Sequence, residues 1–232
     1  VYRFVLSGWV HEDYEQELET FMEEWADNNL FFQQGIHLEL NETNVGKGKV
    51  CNSIIPRYSH SGWDYVFMFD NDIIFKECPE DIVDILIKQQ NEMDAIGPLK
   101  YPVISCNFEE HQVHNLGAMD QGHTTTDGRL VKCSTGRFGC VGGGCWLVRR
   151  DHWDEVGGYC DDTIYGKDDG KFYLDTIMLG KMVALSMEVW VIHPSDDDQA
   201  YNLFKADTNV NRVRNMNYEE LTVDSNNFWK SR

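Results

Sequence analysis

The stretch 64–75, Asp-Tyr-Val-Phe-Met-Phe-Asp-Asn-Asp-Ile-Ile-Phe, is apolar and aromatic until it meets two carboxylates one position apart, Asp70 and Asp72. A buried strand that releases two acids at its carboxyl end makes an oxygen-ligand site for a hard divalent cation, Mg2+ or Mn2+. Such an ion usually takes one or two carboxylates and leaves its other positions to water and phosphate oxygens, so a phosphorylated partner is expected. Asp196-Asp197-Asp198 has the same spacing but lies in a loop-like stretch with no strand before it. A second candidate is the turn 44–52, Asn-Val-Gly-Lys-Gly-Lys-Val-Cys-Asn. It joins a strand to a helix, where backbone amides and lysines can meet phosphate. Its glycine spacing is not that of a P-loop.

These groups need a scaffold to hold them. Phe4–Val10 reads as a strand, and a helix from about Glu12 to Asn28 carries Tyr14, Leu18, Phe21, Met22 and Trp25 on one face. Gly35–Leu40 is a second strand, and the turn Asn41–Gly48 leads into a helix through about Ile55. Asp64–Phe69 is expected as the central strand, followed by a helix that Pro79 opens and that carries Ile82, Val83, Ile85 and Leu86. Strands alternating with helices over this first part imply a largely parallel, doubly wound sheet. In such a sheet ligands gather at the carboxyl ends of the strands, where Asp70 and Asp72 fall.

From Tyr101 to Arg137 the periodicity fades, which leaves either a functional loop or a set of short strands. Order returns with a strand at 142–148 after a glycine turn, a short helix at Asp151–Val156, and then Gly157-Gly158-Tyr159. A helix from about Asp169 to Leu179 is stopped by Gly180, and Met182–Ile192 is the last clear strand, ending at His193-Pro194. The stretch Gln199–Tyr218 reads as a helical tail.

With 232 residues, 42% of them hydrophobic, the chain can bury one substantial core, and one domain is expected. Its formal charge of −19 opposes non-specific binding to nucleic acid or anionic lipid, which disfavours a nucleic-acid acceptor without excluding it. No apolar run approaches the roughly 20 residues of a membrane span. Seven cysteines at irregular spacing, with no C-x-x-C pair, read as reduced core residues rather than a disulfide framework or zinc site. The sequon Asn41-Glu42-Thr43 falls in the turn expected to face the ligand, where a glycan would block it. Together these features point to a soluble protein of a reducing, cytoplasmic compartment.

The ordered series Asn44/Gly46/Lys47/Asn52, Asp70-Asn71-Asp72, Gly142–Val148 with Gly157-Gly158-Tyr159, Asp168-Asp169, and Trp190-Val191-Ile192-His193 resembles nucleotide-sugar glycosyltransferases of the GT-A fold, especially the family 2 type. The resemblance covers most of the chain. It implies a Rossmann-like α/β fold with a doubly wound, mostly parallel central sheet and helices on both faces. The donor-binding half would be about 1–100 and the acceptor and catalytic half about 101–232. It further implies that Asp70 and Asp72 hold Mn2+ or Mg2+ on the donor diphosphate and that His193 completes the metal shell. Donor contacts fall on Ser7, Gly8, Asn41, Asn44, Gly46, Lys47, Asp70, Asn71, Gly143 and Gly144. The acidic pair that begins a helix supplies the catalytic base; Asp169 aligns with that base, and Asp168 stands where the family usually has Glu. At the nucleobase position the chain has Leu40-Asn41-Glu42 in place of the usual Asp-Asp pair, which leaves UDP- and GDP-sugars both open.

The expected reaction is metal-dependent transfer of a sugar from a nucleotide diphosphate sugar to a hydroxyl acceptor, with inversion and Asp169 as general base. A retaining transferase, a sugar-phosphate nucleotidyltransferase and a cation-dependent carbohydrate-binding domain are the alternatives. The 101–137 stretch is where acceptor specificity is expected.

Overall fold

The computed structural model describes residues 4–8, 15–20, 36–41, 43–58, 62–76, 79–96, 98, 100–109, 119–124, 130–134, 143–161, 168–193 and 203. Of the helix expected at 12–28, residues 15–20 are helical and the rest lies outside the described residues, as does nearly all of the expected tail. The elements in order are β1 (Phe4–Gly8), β2 (Ile36–Leu40), α1 (Lys47–Arg57), β3 (Tyr65–Phe69), β4 (Ile74–Phe75) and α2 (Pro79–Ile96). They continue with β5 (Val103–Phe108), β6 (Met119–Thr124), β7 (Leu130–Ser134), β8 (Cys145–Arg149), α3 (Arg150–Val156), α4 (Asp168–Met178) and β9 (Val183–Ile192).

Strands β1 and β2 pair in parallel, Phe4 opposite Ile36 and Gly8 opposite Leu40. The other strands form one sheet in the order β3-β8-β5-β9-β7-β6, with β4 attached to β9. Only β5 and β9 run parallel within it; every other pair is antiparallel. The expectation of a mostly parallel sheet is therefore corrected to a mixed α/β sheet, with β3 first in the path rather than central. The alternation of strand and helix holds only through α2. Beyond it the chain enters β5, β6, β7 and β8 with no helix between them among the described residues, so no crossover helix forces a parallel partner. Of the two readings left open for 101–137, the described residues form short strands, β5, β6 and β7, and the rest of the stretch lies outside the described residues.

The core lies around β8, β5 and β9. Cys145, Trp146, Leu147 and Val148 are all fully buried, so β8 is covered on both faces. Helix α2 packs on β5, β8 and β9, and α4 packs on β9 and α3. Trp146, Trp153, Tyr159 and Phe172 form a ring cluster with centroids 5.1–6.4 Å apart, which seats α3, α4 and the Gly157–Tyr159 loop on β8. Trp146, Trp153 and Tyr101 are thus core residues.

Candidate metal and diphosphate site

The register of β3 against β8 decides where Asp70 sits. Phe69 pairs with Cys145, so the ladder continues one step further and the Asp70 amide donates to the Gly144 carbonyl at 2.9 Å. The ends of β3 and β8 thereby bring Asp70 beside the Gly143–Gly144 turn. A Cβ on Gly144 would lie 3.4 Å from the Asp70 carboxylate and 3.3 Å from the Phe108 ring, so a larger residue would crowd both.

The two-residue strand β4 does the second piece of assembly. Ile74 pairs with Ile192, which brings the end of β9 alongside the segment that follows Asp70 and carries His193 to Asp72. His193 Nε2 lies 3.5 Å from Asp72 Oδ2, and the Phe108 ring meets the imidazole edge-on at 6.0 Å. Asp70, Asp72 and His193 each offer a ligand atom, all within 4.8 Å of one another. Asp72 Oδ1 is buried with no hydrogen-bond partner among the described residues. An unpaired carboxylate oxygen held out of water is costly, and a cation would satisfy it. Two carboxylates and an imidazole are a donor set that suits Mn2+ and are compatible with Mg2+.

Lys47 reaches the same place from α1. Gly46, with φ +87° and ψ 152°, occupies backbone space that is essentially closed to other residues, and its amide is caught by Asn44 Oδ1 at 3.1 Å. The turn therefore ends abruptly and Lys47 becomes the first residue of the helix. Its ammonium donates to Asp70 Oδ1 at 2.5 Å and to the Gly143 carbonyl at 2.9 Å. Burial alone would lower the Lys47 pKa, but Asp70 and Asp168 outweigh it and hold the amine charged.

Helix α1 is locked to the second half of the chain by Asn52. Its side-chain amide donates to the Tyr159 carbonyl and accepts from the Tyr159 amide, both at 2.8 Å. Gly158 at φ +87° leaves the Asn52 oxygen its room, since a Cβ there would lie 2.3 Å from that atom. Gly48 likewise allows the Cys160 carbonyl to approach α1. The Cys51 thiol beneath is pushed up to about 12 by burial.

The acidic pair opens α4 as expected. Asp169 Oδ2 accepts from the Gly143 amide at 3.1 Å and Oδ1 from the Gly170 amide at 2.6 Å. Each oxygen keeps a second lone pair. A Cβ on Gly143 would lie 2.3 Å from Asp169 Cβ, so this glycine is what lets the β8 turn touch the start of α4. Asp168 is buried, and burial together with Asp169 raises its pKa, against the pull of Lys47.

The structure brings Lys47, Asp70, Gly143 and Asp169 into one hydrogen-bonded chain, and Asp72 and His193 beside Asp70. Gly144 adjoins Asp70. Asn44 and Gly46 shape the turn before α1, and Asn71 is exposed in the turn between the two metal-site acids. Ser7 and Gly8 lie at the carboxyl end of β1 and Asn41 just beyond β2. That pair is tied to α1 by Glu39, which takes Arg57 at 2.7 Å and Tyr58 at 3.1 Å. Sequence reasoning did not identify Phe108 as the wall beside His193, nor Gly143 as the seat of Asp169. Three consecutive glycines, 142–144, before a buried strand were the available signal for the second.

Among solved structures the chain has the fold of a glycosyltransferase. The mannosyltransferase PcManGT from Pyrobaculum calidifontis, in complex with GDP-Man and Mn2+, matches it with a TM-score of 0.60 at 15% identity, over 98% of this chain and 60% of that one. At that identity the likeness is one of fold, and the chain spans 60% of the length of the structure it matches. No protein-family model and no curated protein matches the sequence. No helix among the described residues is long and apolar enough to cross a membrane.

Proposed function

We propose that the chain is a metal-dependent GT-A glycosyltransferase domain of the family 2 type, moving a sugar from a UDP- or GDP-sugar to a hydroxyl acceptor with inversion. The observation that carries the reading is the convergence of two cation-binding acids and a histidine, a helix-start lysine and a helix-start acidic pair at one end of a glycosyltransferase fold. Asp70, Asp72 and His193 would hold Mn2+ or Mg2+, which when bound supplies positive charge for the departing diphosphate. Lys47 adds a second positive charge from the start of α1. Ser7, Gly8, Asn41, Asn44 and Asn71 line the donor side, and Gly143 and Gly144 give close backbone approach to the donor sugar.

Asp169 takes the acceptor hydroxyl's proton as the oxygen attacks the anomeric carbon, and Asp168 orients it. Amide bonds at both Asp169 oxygens support a side chain that is fixed in direction. The contacts from α1 to Gly143 and Tyr159 support a single domain in which the 1–100 and 101–232 halves share one site. Among the described residues the thiols of Cys51, Cys106 and Cys145 form no disulfide, which supports a reducing, cytoplasmic setting.

Incubation with a panel of nucleotide sugars and Mn2+ tests the reading. Slow release of nucleoside diphosphate is expected from one or a few of them. Release of pyrophosphate from a nucleoside triphosphate and sugar phosphate, or turnover of none, overturns it.

A further inference from the structure

Lys47 is placed where a divalent ion would have to compete with it. Its ammonium donates to one of the two oxygens of Asp70 at 2.5 Å and to the Gly143 carbonyl at 2.9 Å, while Asp70 is one of the three groups within 4.8 Å of one another. A monovalent and a divalent cation held on one carboxylate repel each other strongly at such separations. The surroundings demand positive charge in either case, since Asp70, Asp72, Asp168 and Asp169 share this end of the sheet. The Lys47 side chain is 29% exposed and that of Asp70 33%, so both can be reached from solvent. The lysine stem is flexible at its far end, and its root is fixed by Gly46 and the first turn of α1.

We propose that Lys47 is a resident cation of the metal site: it neutralises Asp70 until a divalent ion takes that carboxylate, and the released ammonium is then free to meet a diphosphate. The cation and the diphosphate consequently bind with positive cooperativity, each making room or charge for the other. The diphosphate half rests on the function proposed above; the exchange at Asp70 does not.

The test is Mn2+ titration into the full chain without nucleotide, followed by electron paramagnetic resonance of free Mn2+. Wild type is compared with Lys47→Met and with Lys49→Met, which removes the same charge from an exposed position two residues along the helix. Lys47→Met should bind Mn2+ roughly 10-fold more tightly than wild type, within the usual range of coupling between sites. Lys49→Met should change the affinity by less than about 2-fold, because an exposed charge is screened. In wild type, Mn2+ should also raise the acylation of Lys47 by an amine reagent, read by mass spectrometry, a measurement that needs no variant to fold. Equal or weaker Mn2+ binding by Lys47→Met, an equal gain in Lys49→Met, or unchanged acylation of Lys47 would overturn the proposal. With uridine and guanosine diphosphate added, Mn2+ should tighten nucleotide binding to wild type and do so far less in Lys47→Met. If Mn2+ tightens in Lys47→Met but neither diphosphate binds to any variant, the exchange at Asp70 stands and the donor reading falls.

Discussion

The two ends of strand β8 are built on opposite plans. At its carboxyl end Arg149 meets Asp94 at 2.8 Å, Asn91 at 2.8 Å and Gln90 at 3.3 Å, and lies 6.0 Å over the Tyr65 ring. One guanidinium there ties α2 to β3 and β8 with its charge matched and its Nε and Nη2 donors engaged. At the amino end four carboxylates crowd around Lys47 and His193, and Asp72 Oδ1 is buried without a hydrogen bond among the described residues. The first arrangement contributes to folding; the second sets acids against each other, an arrangement that a bound cation would relieve. Gly143 and Gly144 at one end and Arg149 at the other thus set a single strand between an acidic cluster and a matched ion pair.

The comparison breaks most visibly at Asp72. Asp72→Ala should lower Mn2+ affinity by more than about 100-fold, since changes one shell further from a metal already cost 10–100-fold. Its melting temperature should be unchanged or higher, because an uncompensated buried oxygen is lost. Unaltered Mn2+ binding would remove Asp72 from the site.

Next in size is Asp169→Asn, which keeps one acceptor oxygen for the Gly143 amide, gives up the other at the Gly170 amide and deletes the proton acceptor. With an identified acceptor, transfer should fall by roughly 10²–10⁴. Nucleoside diphosphate affinity, measured by calorimetry on the same preparation, should stay within a few-fold. Full activity would withdraw the assignment of the base.

Arg149→Met probes the other end. It should cost about 1–3 kcal/mol of stability in denaturant unfolding, the usual worth of hydrogen bonds to a charged group. Mn2+ affinity of the folded protein should not move. A shift in metal affinity as large as that of Asp72→Ala would show that the two ends are not separate.

The smallest effect concerns pH. His152 is fully buried between α3 and α4 with Nε2 2.8 Å from Thr176 Oγ1, and burial with nearby Lys181 lowers its pKa from 6.5 to about 4. The unfolded chain therefore binds a proton that the fold refuses. This contribution is fully present above about pH 6.5 and declines as pH falls towards 4. His152→Gln should flatten that limb of the stability profile, read from melting temperatures across the range. An unchanged slope would place the acid sensitivity elsewhere.

Much of the site end was legible because its elements are local. A run of apolar residues ending in two acids, a glycine turn before a lysine, and an acidic pair before an amphipathic helix each declare themselves within a few residues. What was hidden depends on partners far along the chain. Strand β4 has only two residues, yet its pairing with β9 is what delivers His193 to Asp72. Strand β5 is buried throughout but carries Ser105 and Asn107, whose side chains bond to neighbouring backbone and break the apolar pattern. Strand β6, Met-Asp-Gln-Gly-His-Thr, has almost no apolar residue to mark a period and ends the sheet path. The antiparallel sense of β8 is likewise a property of its partners, not of its own residues.

The most direct test of the central claim, that the amino end of β8 is a metal-dependent diphosphate site, is calorimetric binding of uridine and guanosine diphosphate with Mn2+ and with a chelator. The account predicts that at least one of them binds with Mn2+ and loses most of its affinity with chelator. Equal affinity under both conditions, or binding of neither nucleotide with Mn2+ present, would contradict it.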